Sequence, residues 1–374
     1  MLFFGVRELV LLVEDFDKLF GGKNTVVQSA GGGMSKEDEA LLAFLESSAP
    51  KIVVVGTGGS GSNTINRMRE VGIAGAKLIA MNTDAQHLLR VKADKKVLLG
   101  KKKTKGLGAG SNPEVGEAAA QESEKEIMEA IGEADLVFIT AGMGGGTGTG
   151  SAHVIAKAAK AQGAIVIGIV TMPFTSEGRK RMANAEAGLA KLRKEADTTI
   201  AIPNDKLLYF VPDLPLNAAF KIADSILTNA VKGITELITK PGLVNLDFAD
   251  MRTILERGGT AMIGLGEVTA SEGKDRVIEA AEKAISSPLL DLDVREADRA
   301  LINITGAEDL TLGEAEAAVN AISAKISKEA HIIWGATIDN SMQKRSVRVL
   351  TVLAGIKEGK PRESSGEEID LEFV

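Results

Sequence analysis

The sequence predicts an α/β fold: a parallel-sheet amino-terminal domain, a long central helix and a smaller α+β carboxy-terminal domain. Three observations predict it. From Lys51 to Ile202, β-branched apolar runs alternate with helical patterns, the pattern of a parallel sheet covered on both faces. From about Leu216 to Ile238 one apolar stripe (Phe220, Ala223, Ile226, Leu227, Ala230, Ile234, Leu237) keeps a spacing of three or four. After residue 260 a second, shorter set of strands and helices follows.

In order along the chain, Lys51–Val55 reads as a buried strand, Gly56–Gly61 as a glycine turn, Asn63–Val71 as a helix and Lys77–Met81 as the second strand. Pro113 to Ile131 reads as one long helix, with Pro in its first turn and Glu114 close behind. The run Leu136–Ala141 is a strand, followed by a glycine-rich loop and a helix near Ser151–Gln162. Ala164–Val170 is a strand, Gly178–Glu195 a helix and Thr198–Ile202 a strand. The long helix stops at Thr239-Lys240-Pro241-Gly242. The last unit has strands near Thr260–Leu265, Arg299–Thr305, Ile332–Thr337 and Val347–Leu353, with helices near Lys274–Ser286 and Leu312–Lys325. The expected divisions are an extension over 1–50, domains over 51–215 and 241–356 joined by the helix 216–240, and a polar tail over 357–374.

Composition narrows the class. The 374 residues are 44% hydrophobic and 25% charged with net charge −7, which suits a globular protein and excludes a dominant basic face for nucleic acid. The run Lys101-Lys102-Lys103 with Lys105 reads as a solvated loop. There is no cysteine, which excludes disulfides and thiolate metal sites, and three scattered histidines make no zinc site. No apolar run reaches membrane-spanning length. Met1–Val13 lacks a basic start and a small-residue cleavage site, which argues against a secretory signal. It reads as an amphipathic segment for the protein body or a membrane surface; alternatively Met34 is the true start, with Ala30–Gly33 the translation of a ribosome-binding site. The tail ends Ile369-Asp370-Leu371-Glu372-Phe373-Val374, alternating apolar and acidic.

The chemistry lies in glycine loops. Residues 142–150 read Gly-Met-Gly-Gly-Gly-Thr-Gly-Thr-Gly, flush between a buried strand and a helix. Such a turn brings backbone N–H groups together at a helix N-terminus and holds phosphate. Gly56-Thr57-Gly58-Gly59-Ser60-Gly61 matches G-x-G-x-x-G between strand and helix, and Gly106-Leu107-Gly108-Ala109-Gly110 adds a third turn. Three such loops suit a ligand with several phosphates. No lysine-anchored P-loop is present, so N–H groups and threonine hydroxyls would carry the phosphates. A nicotinamide-dependent oxidoreductase is the rival reading, but its second strand should end in an acid; here it ends Ala80-Met81-Asn82, with no acid until Asp84. Further on, Asn245, Asp247 and Asp250 sit among apolar residues. Two carboxylates three apart orient a water; Asp247 as a helix N-cap is the alternative.

The loop Gly144-Gly145-Gly146-Thr147-Gly148-Thr149-Gly150 resembles the nucleotide loop of the tubulin/FtsZ family of self-assembling GTPases, and Asn245-Leu246-Asp247-Phe248-Ala249-Asp250 resembles that family's catalytic synergy loop. Val170-Thr171-Met172-Pro173-Phe174 with Glu177, Gly178 and Arg181 resembles its ribose-side loop, and Gly259–Gly264 a segment of its second domain. The match runs in order from about Lys51 to Gly355 and is nearer to archaeal FtsZ than to tubulin.

The resemblance implies a parallel-sheet GTP-binding domain using GTP/GDP with Mg²⁺. It places Gly58, Gly59, Ser60 and Asn63 in the first phosphate loop, with Asp84, Gly108, Ala109 and Gly110 also at the nucleotide. Gly144, Gly145, Gly146, Thr147 and Gly148 would cradle the outer phosphates, Glu177 and Arg181 the ribose side, and Asn204 the sugar or base. Phe220 and Asp224 would meet the base; an ionised Asp224 accepts both N1–H and N2–H of guanine, a pair adenine lacks. Asn245, Asp247 and Asp250 would be catalytic, acting on the nucleotide of the next subunit in a head-to-tail filament. No side-chain metal site is implied, because the ion would sit on phosphate oxygens and waters. The resemblance further implies a cytoplasmic division protein at a mid-cell ring, with itself as partner, membrane-anchoring division proteins as possible others, and neither nucleic acid nor a membrane span.

Overall fold

The computed structural model describes residues 49–207, 216–240, 242–244, 246–269, 276–290 and 293–356. The extension up to residue 48, the tail from 357 and Asn245 lie outside the described residues.

The first half runs β1 (Ile52–Thr57), α1 (Gly58–Val71), β2 (Ala76–Asn82), α2 (Ala85–Arg90), β3 (Lys95–Leu98), α3 (Pro113–Glu122), α4 (Glu124–Ile131), β4 (Leu136–Gly142), α5 (Thr147–Ala161), β5 (Ile165–Met172), α6 (Arg179–Glu195), β6 (Thr198–Pro203) and the one-turn α7 (Asn204–Leu207). Then come α8 (Leu216–Thr239), α9 (Phe248–Leu255), β7 (Gly259–Val268), α10 (Arg276–Ile285), β8 (Arg299–Gly306), α11 (Leu312–Ser323), β9 (His331–Ile338) and β10 (Val347–Ala354).

The strands form one sheet in the order β3-β2-β1-β4-β5-β6-β7-β10-β8-β9. From β3 to β6 every pairing is parallel, as buried β-branched runs joined by helices require. All six residues of β1 are buried. One face packs Val54, Phe138 and Ile167 against Leu227, Ala230 and Ile234 of α8. The other packs Val55, Ile139 and Val166 against Ile127 of α4 and Ile155 of α5. The carboxy-terminal unit has its own core, including Val277, Ile302 and Val349.

Two features position the site. In a parallel sheet all carboxyl ends lie on one edge, so the loops after β1, β4 and β5 share it. β7 lies parallel to β6, pairing Thr198 with Gly259, and its other neighbour β10 is antiparallel. The chain therefore enters β7 from the amino edge. The 24 residues of α8 rise ~36 Å, enough to cross the sheet. Near its start, Asp224 meets Thr64 of α1. At its end, Thr239 packs on Gly75, just before β2.

Some expectations need correction. The helix expected over 113–131 is two helices broken at Ser123, whose φ of −102° and ψ of 20° leave the helical region. Its hydroxyl is instead taken by the buried N–H of Gly100 at 2.9 Å. The helix expected from Ser151 starts at Thr147, so half the glycine run is its first turn. Likewise the first turn of α1 begins at Gly58, so the expected loop 56–61 is split between strand and helix. The short α2 and the Lys-rich β3 escaped the periodicity reading.

The α1–β4 contact has no slack. A Cβ on Gly61 would collide with the carbonyl oxygen of Thr140 in β4. Gly61→Ala is therefore expected to cost about 3 kcal/mol in chemical denaturation, the upper end for overpacking a rigid core. A loss below about 1 kcal/mol would show that the helix moves away freely.

Candidate functional site

Three glycine loops meet at the carboxyl edge. Gly58 has φ +73°, and a Cβ there would sit 2.7 Å from the amide nitrogen of Gly148. A Cβ on Gly146 would lie 2.8 Å from that of Ala109, which ties the 142–150 loop to the 106–110 loop. Gly144, at φ +94°, donates its N–H to Thr149 Oγ1 at 2.9 Å. Only glycine takes the positive φ of Gly58 and Gly144 at such close backbone approach without strain. The result is a concave wall of backbone at the N-termini of α1 and α5.

Hydroxyl and amide groups brace the wall. Thr83 and Thr147 share a buried hydrogen bond of 2.6 Å between their hydroxyls. Gly108 N–H donates to the carbonyl of Thr83 at 3.1 Å. Asp84 caps α2 by accepting the N–H of His87, and the His87 ring contacts Asn82 and Asn63, the latter at 3.0 Å. Gly59 and Ser60 lie in the first turn of α1, Gly145 is in the tip of the 142–150 loop, and Gly110 (φ +58°) is exposed just before α3.

The side walls come from β5, β6 and α8. Glu177 accepts the N–H of Phe174 at 2.9 Å and pairs with Arg181 one helical turn on. Asn204, at the end of β6, is buried with an Oδ1 that has no partner among the described residues. A buried acceptor without a donor is costly, and a ligand N–H or O–H would relieve it. Phe220 is 40% exposed and stands edge-on to Phe174, with ring centres 5.5 Å apart. Asp224 accepts from Thr64 Oγ1 at 2.9 Å. Burial pushes its carboxyl up to about 6, against the Thr64 hydrogen bond and nearby Arg67, which pull it down. A half-buried carboxylate with acceptor capacity to spare suits a ligand with two adjacent N–H donors.

The predicted catalytic residues are elsewhere. Asp247 is the N-cap residue of α9, as the alternative reading expects for a helix through Leu255, although its side chain makes no capping hydrogen bond. Both Asp247 and Asp250 are exposed. The helix they begin runs to the amino edge, where Leu255 O accepts from Thr198 Oγ1 and Gly259 N–H donates to Asp197 O. The six residues of β6 alone separate the two edges by about 20 Å. The end of α9 and the glycine cradle thus lie at opposite edges of the sheet.

Thr64 and Thr83 are the supporting residues that motif reading did not single out. Thr64 and Asp224 are 160 positions apart, and nothing local in sequence links them. The oxidoreductase reading finds no support: β2 ends at Asn82 and the only nearby acid, Asp84, is spent on a helix cap.

The fold and cradle define a class: a nucleotide-binding α/β domain bridged by one long helix to a second domain. The family model described as the Tubulin/FtsZ family GTPase domain matches residues 51–212, and that of the FtsZ family C-terminal domain matches residues 259–357. The chain belongs to the tubulin/FtsZ family and is a GTPase of it. Cell division protein FtsZ 1 of Thermococcus kodakarensis is 56% identical over 319 residues, 85% of this chain and 84% of that protein. The protein of the same name from Archaeoglobus fulgidus is 54% identical over 327 residues, 87% of this chain and 88% of that protein. An empty FtsZ dimer of M. jannaschii superimposes with a TM-score of 0.83 at 51% identity, covering 90% of this chain and 99% of that one. A GTPγS-bound CetZ2 protofilament from Haloferax volcanii shares the fold, with a TM-score of 0.71 at 23% identity, 83% of this chain and 94% of that one.

Proposed function

We propose that this GTPase assembles head to tail and hydrolyses GTP only at the joint between subunits, in a filament that serves cell division. The separation of the Asp pair from the glycine cradle carries this reading. One subunit supplies the carboxyl-edge cradle. The next presents its amino edge, where Asp247 and Asp250 are exposed and uncapped. Such a contact joins two different surfaces and therefore propagates as an open filament.

In this reading the N–H groups of the 58–60 and 144–148 segments hold the phosphates, and Arg181, positioned by Glu177, adds charge beside them. Asn204 and Phe220 take the sugar and base, and Asp224 reads the guanine edge. Asp247 and Asp250 of the incoming subunit orient the attacking water and draw off its proton, with Asn245 beside them in sequence. Mg²⁺ would come on the nucleotide, carried by phosphate oxygens and water. Its chemistry there would be charge neutralisation at the transferred phosphoryl group. A ring at mid-cell, with other division proteins attaching it to membrane, is the cellular setting this implies. The described helices include none long and apolar enough to cross a membrane.

The test is GTP turnover against protein concentration. Turnover per subunit is expected to fall steeply below a threshold, because half of each site comes from a neighbour. Strict proportionality down to nanomolar protein would defeat the shared site.

Asp224 adds a pH signature. Guanine needs the ionised carboxylate, whose pKa without ligand is raised to about 6. Base affinity is therefore at its plateau above about pH 7 and weakens as pH falls through 6, roughly tenfold per unit. Guanosine is the probe, since it has no phosphate to titrate in the same range. A flat profile between pH 5 and 7 would remove Asp224 from base recognition.

A further inference from the structure

Residues 90–105 carry eight cations (Arg90, Lys92, Lys95, Lys96, Lys101, Lys102, Lys103 and Lys105) against the single acid Asp94. The stretch is +7, which leaves −14 on the remaining residues of an otherwise acidic chain. The structure wraps this charge around β3, the outermost strand of the sheet, whose outer edge pairs with no strand among the described residues. Arg90, Lys92, Lys101, Lys102, Lys103 and Lys105 are exposed. Lys95 reaches Glu129, Lys96 reaches the carbonyl of Leu89, and Asp94 is already held by Arg69. The lysine turn is itself built: the Glu122 carboxylate accepts the backbone N–H groups of Lys102 and Lys103 at 2.8 and 3.0 Å, which leaves their side chains outward and uncommitted. Like charges gathered at this density repel one another, and an anionic partner would relieve the repulsion.

We infer that this edge receives the acidic carboxy-terminal segment, residues 367–374, of a second copy of the chain. That segment carries Glu367, Glu368, Asp370 and Glu372 with no cation. Its apolar residues Ile369, Leu371 and Phe373 alternate with acids, the two-faced pattern of an added strand. A free sheet edge supplies backbone hydrogen bonds, and the lysines flanking it supply the charge match. A narrow strand touches only the basic edge. An anionic bilayer or a nucleic acid would also meet the −14 of the rest of the surface.

Reach favours a neighbour over the chain's own body. Ile356 N–H is held at Thr260 of β7, next to β10 in the sheet. Seven strand spacings separate β10 from β3, roughly 34 Å straight across. The twelve residues 357–368 span at most about 40 Å fully extended, too little to go round the body with ease. The contact would therefore join filaments side by side, and it is independent of nucleotide chemistry.

The absence of native cysteine makes the test direct. Full-length Lys103→Cys protein is mixed, without nucleotide, with full-length Phe373→Cys protein under mild oxidation. The mixed disulfide is expected to form at least tenfold faster than with Lys328→Cys in place of Lys103→Cys, the control being an exposed lysine in the second domain. Adding Lys101→Glu, Lys102→Glu and Lys105→Glu to the acceptor should abolish the excess, as should 1 M salt. A rate equal to the control overturns the inference, and so does a rate indifferent to charge reversal. Binding to anionic vesicles that persists in protein truncated after residue 366, with no mixed-disulfide excess, overturns it in favour of a lipid partner.

Discussion

Asp250→Ala is expected to lower GTP turnover by about 10²–10⁴-fold while leaving GTP affinity within about twofold. The two halves of this expectation come from different parts of the structure. The affinity half rests on position: Asp250 lies on α9, which ends at the amino edge, whereas the cradle of its own subunit lies at the carboxyl edge, and removing it changes nothing that subunit uses to hold nucleotide. The turnover half rests on chemistry. Asp247 and Asp250 are exposed, and Asp247, although placed to cap α9, leaves its carboxylate uncommitted. Asp250 is exposed in the first turn of α9, where its charge favours the helix N-terminus by about 0.3–1 kcal/mol, so Asp250→Ala should denature within about 1 kcal/mol of the parent.

Mixing sharpens the expectation. Gly58→Val puts a branched side chain at φ +73°, where even a Cβ would stand 2.7 Å from Gly148 N, and destroys the cradle while sparing α9. Neither variant should turn over GTP alone. Mixed, a subunit with a sound cradle and no Asp250 meets a neighbour with Asp250 and no cradle, and turnover should return. Measurable turnover by Asp250→Ala alone at the parent rate, or none in the mixture under conditions where the two co-sediment, would place the chemistry within one subunit.

Much of the architecture is legible in sequence because parallel strands must be apolar on both faces. Runs such as Leu136–Gly142 carry their own identity. The long helix is equally plain, since its buried stripe repeats from Ala223 to Leu237, about four turns. What escaped was short or paired at a distance. β3 has four residues, two of them lysine, and as an edge strand it needs no alternating apolar pattern. The break at Ser123 depends on Gly100, a partner the local pattern cannot reveal. The continuity of the sheet through β6 and β7 was also hidden, because a strand pairing across 60 residues leaves no periodic trace. The site divides the same way. Glycine loops announce themselves by composition, whereas the Thr64–Asp224 and Thr83–Thr147 contacts exist only once the chain is folded.

Asp224→Asn should weaken GTP binding by about 10²–10³-fold and shift preference toward the triphosphate of xanthosine. The carboxylate offers acceptors only, matched to guanine N1–H and N2–H, and hydrogen bonds to a charged partner are each worth about 1.5–3 kcal/mol. The amide keeps one acceptor and turns the other position into a donor. That donor faces the N2 amine of guanine, two donors opposed in a half-buried site, which accounts for the loss. Xanthine has an oxygen in place of that amine and keeps N1–H, so it complements the amide. Inosine triphosphate separates the terms: lacking the amine, it should bind the parent more weakly than GTP does, yet bind Asp224→Asn at least as well as GTP. The fold should not suffer, since the amide still accepts from Thr64 Oγ1 and no longer carries the desolvated charge that raises Asp224 to about 6. Thermal stability without ligand should therefore equal or exceed that of the parent, and the pH dependence of guanosine binding should vanish. If GTP, inosine and xanthosine triphosphates all weaken equally, Asp224 supports the helix–helix contact with Thr64 and does not read the base.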